Sequence, residues 1–197
     1  MATMRAFVGM PLTPHPNYEK RIGEIKIPAS YKKKETIEKF LDEEWMKIRQ
    51  DPTQHPLGSQ VECVAMSAVV ANEDGEISTG TVIYSPEDFL AELVKTWALG
   101  YELIQIVGYN IHAKLQALML QTLERGKTYP FWLDRTDLRN PVRVYNVTPT
   151  LHTITAEQFF ALLGIQGPPV HLSGKPTSDL AQVEHDFVRD LAKRMLF

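Results

Sequence analysis

Residues 60–70 read QVECVAMSAVV, largely apolar on both alternations of an extended chain and bounded by turn residues on each side. A strand with one face in water alternates apolar with polar residues. One that is apolar on both faces belongs inside a sheet that is covered on both sides. This segment therefore demands helices above and below it, and the rest of the chain offers them. Asn72-Glu73-Asp74-Gly75 is a turn, and residues 76–84 return as a second strand, so the two form a hairpin.

The other elements follow from periodicity and punctuation. Residues 4–10 are a short apolar run ending at Pro11, read as the first strand. Residues 11–34 carry four prolines and end in Lys32, Lys33 and Lys34, which predicts an irregular surface connection. Ile37, Phe40, Leu41, Trp45 and Ile48 recur at helical spacing over residues 35–49. Ser85-Pro86-Glu87-Asp88 has the chemistry of a helix start, with Ser85 as N-cap and acids in the first turn. Its stripe is Phe89, Leu90, Leu93, Val94 and Trp97, and Gly100 stops it. A strand over residues 102–108 precedes a helix over residues 110–125 with Ile111, Leu115 and Leu118 on one side. Residues 127–150 are mixed, with strand-like residues 142–145. Thr155 and Gln158 suggest a capping box for a helix to Leu163. A final amphipathic helix runs over residues 179–196, with Leu180, Val183, Phe187 and Leu191 at helical spacing. The expectation is one α/β domain over residues 1–197, a mixed central sheet flanked by helices, with residues 11–58 inserted after the first strand.

Composition narrows the function. Net charge is −3, so a phosphate backbone could be gripped only through a local basic patch. One cysteine, Cys63, excludes an intrachain disulfide and multi-cysteine zinc sites, and points to a reducing, cytoplasmic setting. No apolar run approaches the ~20 residues of a membrane span, and the N-terminus lacks the apolar core of a signal peptide.

Several stretches together resemble a known family. They are the residue 27–39 run IPASYKKKETIEK, Val107-Gly108-Tyr109-Asn110-Ile111, Phe131-Trp132-Leu133, Ala161-Leu162-Leu163-Gly164-Ile165, and the residues 188–197 that end the last helix. In order and spacing they are similar to 3′–5′ exonucleases related to the proofreading domain of family B DNA polymerases, common in phages and other mobile elements. The resemblance implies a ribonuclease H-like fold. It also implies four metal-binding acids: a D-x-E pair on the first strand, an Asp after the Asn of the second motif, and an Asp on the last helix. A Tyr or His before that last Asp would orient the water. Such enzymes cleave phosphodiesters with two divalent ions, whose oxygen ligands are chiefly carboxylates.

This chain departs from that pattern at nearly every position. The D-x-E falls on Val8 and Met10, or on Gly9 and Pro11 one register along, and the first 17 residues hold no acid at all. Leu115, or Lys114 one residue earlier, stands at the second-motif Asp, and no acid occurs between Glu102 and Glu124. Asp186 could be the surviving last-helix acid, but Gln182 replaces the Tyr; His185 with Asp190 has the sister group's spacing. One carboxylate cannot hold two divalent ions against their hydration. We therefore expect no metal, no cofactor and no catalysis. The expected role is a binding or assembly module with a protein partner in nucleic-acid metabolism.

Two alternatives stay open. One is a non-cleaving binder of single-stranded DNA or RNA, with Lys32, Lys33, Lys34, Tyr109, Asn110 and Lys114 as contact candidates, and Lys114 pairing with a phosphate. The other is an active enzyme with a site rearranged onto Asp134, Asp137 and Asp186. None of the six histidines has a compact ligand spacing. Cys63, in the middle of a predicted strand, is read as inert core.

Overall fold

A computed structural model describes residues 2–55, 57–73, 75–134, 141–147, 158, 160, 161, 164 and 176–195. Its centre is a six-stranded mixed sheet built on β1 (Thr3–Gly9). On one side β1 pairs antiparallel with β4 (Val64–Asn72), with Ala6 opposite Ala68. On the other it pairs parallel with β7 (Leu103–Gly108), which pairs parallel with β8 (Val142–Asn146). The hairpin partner of β4 comes in two pieces, β5 (Gly75–Ser78) and β6 (Val82–Tyr84). Between them Thr79 takes over the pairing. Its N–H donates to the Ala68 carbonyl and its Oγ1 accepts from the Ala68 N–H, both at 2.8 Å.

Both faces of the sheet are covered, as the doubly apolar residue 60–70 run requires. Met4, Ala6, Val8, Met66, Ile104 and Ile106 point to one face. There they meet α3 (Pro86–Ala98) and α4 (Ile111–Glu124) through Phe89, Leu93, Leu115 and Leu118. Phe7 and Val107 point to the other face and meet Phe187, Val188 and Leu191 of α5 (Thr177–Met195). The last helix lies so close to β1 that only glycine fits beneath it. A Cβ on Gly9 would overlap the Ala181 carbonyl oxygen and the His185 backbone nitrogen.

The excursion after β1 is more ordered than its prolines suggest. Where an irregular connection was expected, β2 (Leu12–Pro14) pairs antiparallel with β3 (Ser59–Val61) to form a small ribbon, and α1 (Tyr18–Ile22) follows β2. Pro14 is tolerated because it ends its strand, where no further ladder bond is needed. The long helix α2 (Lys34–Gln50) buries only Ile48 and ends at a 3₁₀ turn, Pro52–Gln54. The excursion is tied to the body by Gln121 of α4, whose side-chain amide donates to the Val61 carbonyl and accepts from the Val61 N–H, each at 2.9 Å. Gln121→Leu leaves both backbone groups buried and unpaired, at about 1–3 kcal/mol each. We expect a loss of about 2–6 kcal/mol in urea denaturation, with the slope unchanged.

Three further expectations need correction. Residues 60–70 are not one strand: the chain breaks at Glu62 and Cys63, and Cys63 is half-buried in that break. On α3, Ser85 caps as predicted, accepting from Asp88 N–H at 3.1 Å, but Val94 and Trp97 are each 44% exposed and Thr96 is buried instead. Trp97 stacks on Trp132, with ring centroids 5.8 Å apart. On α5, Val183 is exposed, and the inward positions are Leu180, Ala181, Glu184, His185, Phe187, Val188, Leu191 and Ala192. The helix expected from Thr155 to Leu163 lies mostly outside the described residues, of which Gln158, Phe160 and Ala161 are helical.

Candidate functional site

The position where the resemblance would place the chemistry is the C-terminal end of β1, where the chain leaves the sheet beside the start of α4 and the middle of α5. Three features of the sequence set it up. Gly108 ends β7 against Ile111, whose Cδ1 would stand 2.8 Å from any Cβ there. Asn110 then turns the chain with a left-handed φ of 52°, which asparagine tolerates better than most residues. The first turns of α4 thereby face the strand end, and Lys114 lies on the inward side with Ile111, Leu115 and Leu118.

At that strand end a buried ion pair forms. Lys114 Nζ donates to Glu184 Oε1 at 2.5 Å, and the same oxygen accepts the backbone N–H of Met10 at 2.9 Å. The two side chains are 7% and 8% exposed. The Tyr109 ring lies with its centroid 5.5 Å from the ammonium. Burial pulls the Lys114 pKa below its ordinary value, while the Glu184 carboxylate works to keep the proton on. Burial, with Glu184 adding, raises the Tyr109 phenol.

Next to this pair, His185 is fully buried and joins α5 to the sheet. Its Nε2 lies 2.8 Å from Ser67 Oγ on β4, and its Nδ1 lies 3.0 Å from Asp186 Oδ1. With the Asp186 carboxylate accepting, Nδ1 carries the proton and Nε2 accepts from the Ser67 hydroxyl. The order of atoms is that of a serine nucleophile with its base and orienting acid. But Ser67 points from mid-strand into the last helix and His185 has no exposed surface, so the relay fastens helix to sheet.

The predicted positions now have places. Val8 and Met10 are buried in the core, Leu115 is buried, and none offers an oxygen ligand from its side chain. Asp186 does not face the strand end: its side chain is 61% exposed and accepts from Gln182 Nε2 at 3.0 Å. Asp190 lies on the outer face and pairs with Arg194. Glu184, which the sequence reading passed over, is the last-helix acid that turns inward. The signal was present. Glu184 falls in the α5 stripe between Leu180 and Phe187, and Lys114 falls in the α4 stripe, so one acid and one base each occupy an apolar row.

Among the nucleic-acid candidates, Lys114 and Tyr109 belong to this site and Asn110 is exposed at its rim. The buried ammonium of Lys114 is committed to Glu184 and is not presented to a phosphate at the surface. Lys32, Lys33 and Lys34 are exposed at the start of α2, in the excursion, where Lys34 pairs with Glu38 at 3.7 Å. The excursion also holds an open groove of about 500 Å³ floored by Ile22, Phe40, Ile48 and Leu57. Asp137 lies outside the described residues.

These residues do not fit a pair of divalent ions. Among the described residues the one inward carboxylate at the strand end is Glu184, and an ammonium already holds it. Glu62, in the nearby break, accepts from Thr13 and Thr177 hydroxyls at 3.1 and 2.6 Å. Among the described residues no group of three or more His, Cys, Asp or Glu side chains could hold a metal, and no helix is long and apolar enough to cross a membrane. Cys63 is poorly disposed to act as a nucleophile. Burial, helped by Glu62 and Glu184, pushes its thiol up to about 11. Iodoacetamide at pH 8 should label it roughly 100-fold more slowly than an unperturbed thiol, with the rate still rising as pH approaches 11. A rate that levels off near pH 9 would contradict this. Comparison with protein-family models gives no match, and comparison with the curated proteins gives none.

Proposed function

We propose that the protein is a non-catalytic relative of the 3′–5′ exonucleases, with a ribonuclease H-like core. In this reading it serves as a binding or assembly module in the nucleic-acid metabolism of a phage or mobile element. Two observations support the ancestry: the antiparallel β5–β4–β1 strands followed by parallel β7 and β8, and the last helix laid across β1. The observation that carries the loss of catalysis is the Lys114–Glu184 pair. It puts an internal ammonium at the strand end where the resemblance calls for two metal ions among acids. A water is not activated, nor a leaving oxygen stabilised, by an ammonium that is buried and paired with Glu184.

The test is degradation of 5′-labelled single-stranded DNA by pure protein in magnesium or manganese. No shortening is expected above a buffer control. Metal-dependent shortening that disappears in Glu184→Gln would refute the proposal.

Exposed Lys32 and Lys33 beside Tyr31 favour a second reading, a salt-sensitive grip on single strands. Fluorescence anisotropy at low salt would detect it, and Lys32→Glu with Lys33→Glu should weaken it at least ~10-fold. Absence of binding by the unmodified protein would end that reading.

A further inference from the structure

Glu184 does not stand alone in making the end of β1 electronegative. Glu184 and Glu62 both act on the Cys63 thiol, so the field there comes from two carboxylates. The Tyr109 ring adds the negative face of its π-system at 5.5 Å from the Lys114 nitrogen. Glu62 has hydroxyl partners, whereas Glu184 Oε1 takes one backbone N–H and one ammonium. An aromatic face, a single carboxylate oxygen and a buried setting suit a primary ammonium. They do not suit a divalent ion, which wants six or more oxygens.

We propose that the end of β1 is a binding site for a primary ammonium group, filled in the native protein by Lys114 as a tethered ligand that fastens the last helix. The proposal draws on the reading above only in seeing this ammonium as the stand-in for metal ions. The site itself rests on Glu184, Met10, Tyr109 and Lys114. Cutting the tether should therefore leave a vacancy that a free alkylammonium of matching length can enter. Lys114→Ala removes three methylenes, Cγ to Cε, and the nitrogen that Cε carries, which is the outline of n-propylammonium.

The experiment compares thermal melts in propylammonium chloride, sodium chloride of equal ionic strength, 1-propanol and manganese chloride. Lys114→Ala should melt well below the native protein and gain about 4 °C or more in propylammonium alone. The native protein and the Lys114→Ala, Glu184→Gln double variant should not respond. Where Lys114→Ala does not hold its fold in buffer, the same comparison is read as helical circular dichroism regained on refolding with the amine. An equal shift in all three proteins, an equal effect of 1-propanol, no response at all, or manganese matching the amine would each overturn the ammonium site. Strand cleavage is not read in this experiment. Its failure leaves the non-catalytic assignment standing, and cleavage by the native protein would leave the ammonium site standing.

Discussion

Gly9→Ala is expected to destabilise the protein by about 3 kcal/mol, at the upper end of the usual cost of overpacking. The reason is what the added methyl group meets. It would overlap the Ala181 carbonyl oxygen and the His185 backbone nitrogen, and stand 2.8 Å from His185 Cα. These are backbone atoms of α5, so no side chain can swing aside, and the helix itself has to lift. Lifting it draws Glu184 away from the Met10 N–H and His185 away from Ser67, contacts of 2.9 and 2.8 Å. Urea denaturation measures the loss as a fall in midpoint. An alanine protein within about 0.5 kcal/mol of the native one, the range of ordinary surface changes, would mean that the helix does not lie so close to β1.

Lys114→Met is expected to cost about 3–5 kcal/mol, although the ion pair itself contributes little net stability. The two statements are compatible. Desolvating a carboxylate and an ammonium offsets most of their attraction. Removing one partner leaves the other buried with its charge unanswered. Methionine keeps most of the stem, so packing changes little and the loss reports the stranded Glu184 carboxylate, whose side chain is 8% exposed. Adding Glu184→Gln should recover more than half of it, because a neutral amide needs no counter-charge. The Met10 N–H can still donate to the amide oxygen. Denaturation midpoints of the native protein, both single variants and the double variant close the cycle. A double variant as unstable as the sum of the singles would show that the two groups act independently.

The sequence revealed the layered architecture because its strongest signal was geometric. A run that is largely apolar on both alternations cannot be satisfied by helices on one face alone, and Phe7 and Val107 do meet α5 while Met4 and Ile106 meet α3 and α4. The break at Glu62 and Cys63 was hidden because the alternation of apolar residues continues across it, while the ribbon of β2 and β3 pulls residues 59–61 off the main sheet. Proline counting misjudged residues 12–22 for a related reason, while residues 23–33 are irregular as expected. Pro14 ends a strand and Pro16 precedes a helix, so neither interrupts a pattern. The site was half legible. Position-by-position comparison showed Val8, Met10 and Leu115 where the resemblance calls for acids. Aligning on Asp186, however, concealed that the inward acid is two residues earlier. Side-chain direction on a helix changes by about 100° per residue, so an offset of two moves a carboxylate to a different face.

The pairing of Leu12 with Val61 places the two ends of the excursion one strand spacing apart, about 5 Å. A polypeptide that departs and returns through such a neck can change length without moving the sheet, because the entropy of closing a loop grows only with the logarithm of its size. Residues 15–58 are thus open to replacement as a unit. A short turn joining Pro14 to Ser59 should leave β1, the last helix and the Lys114–Glu184 clasp in register, and a different peptide carried on the same neck would give the body a new surface.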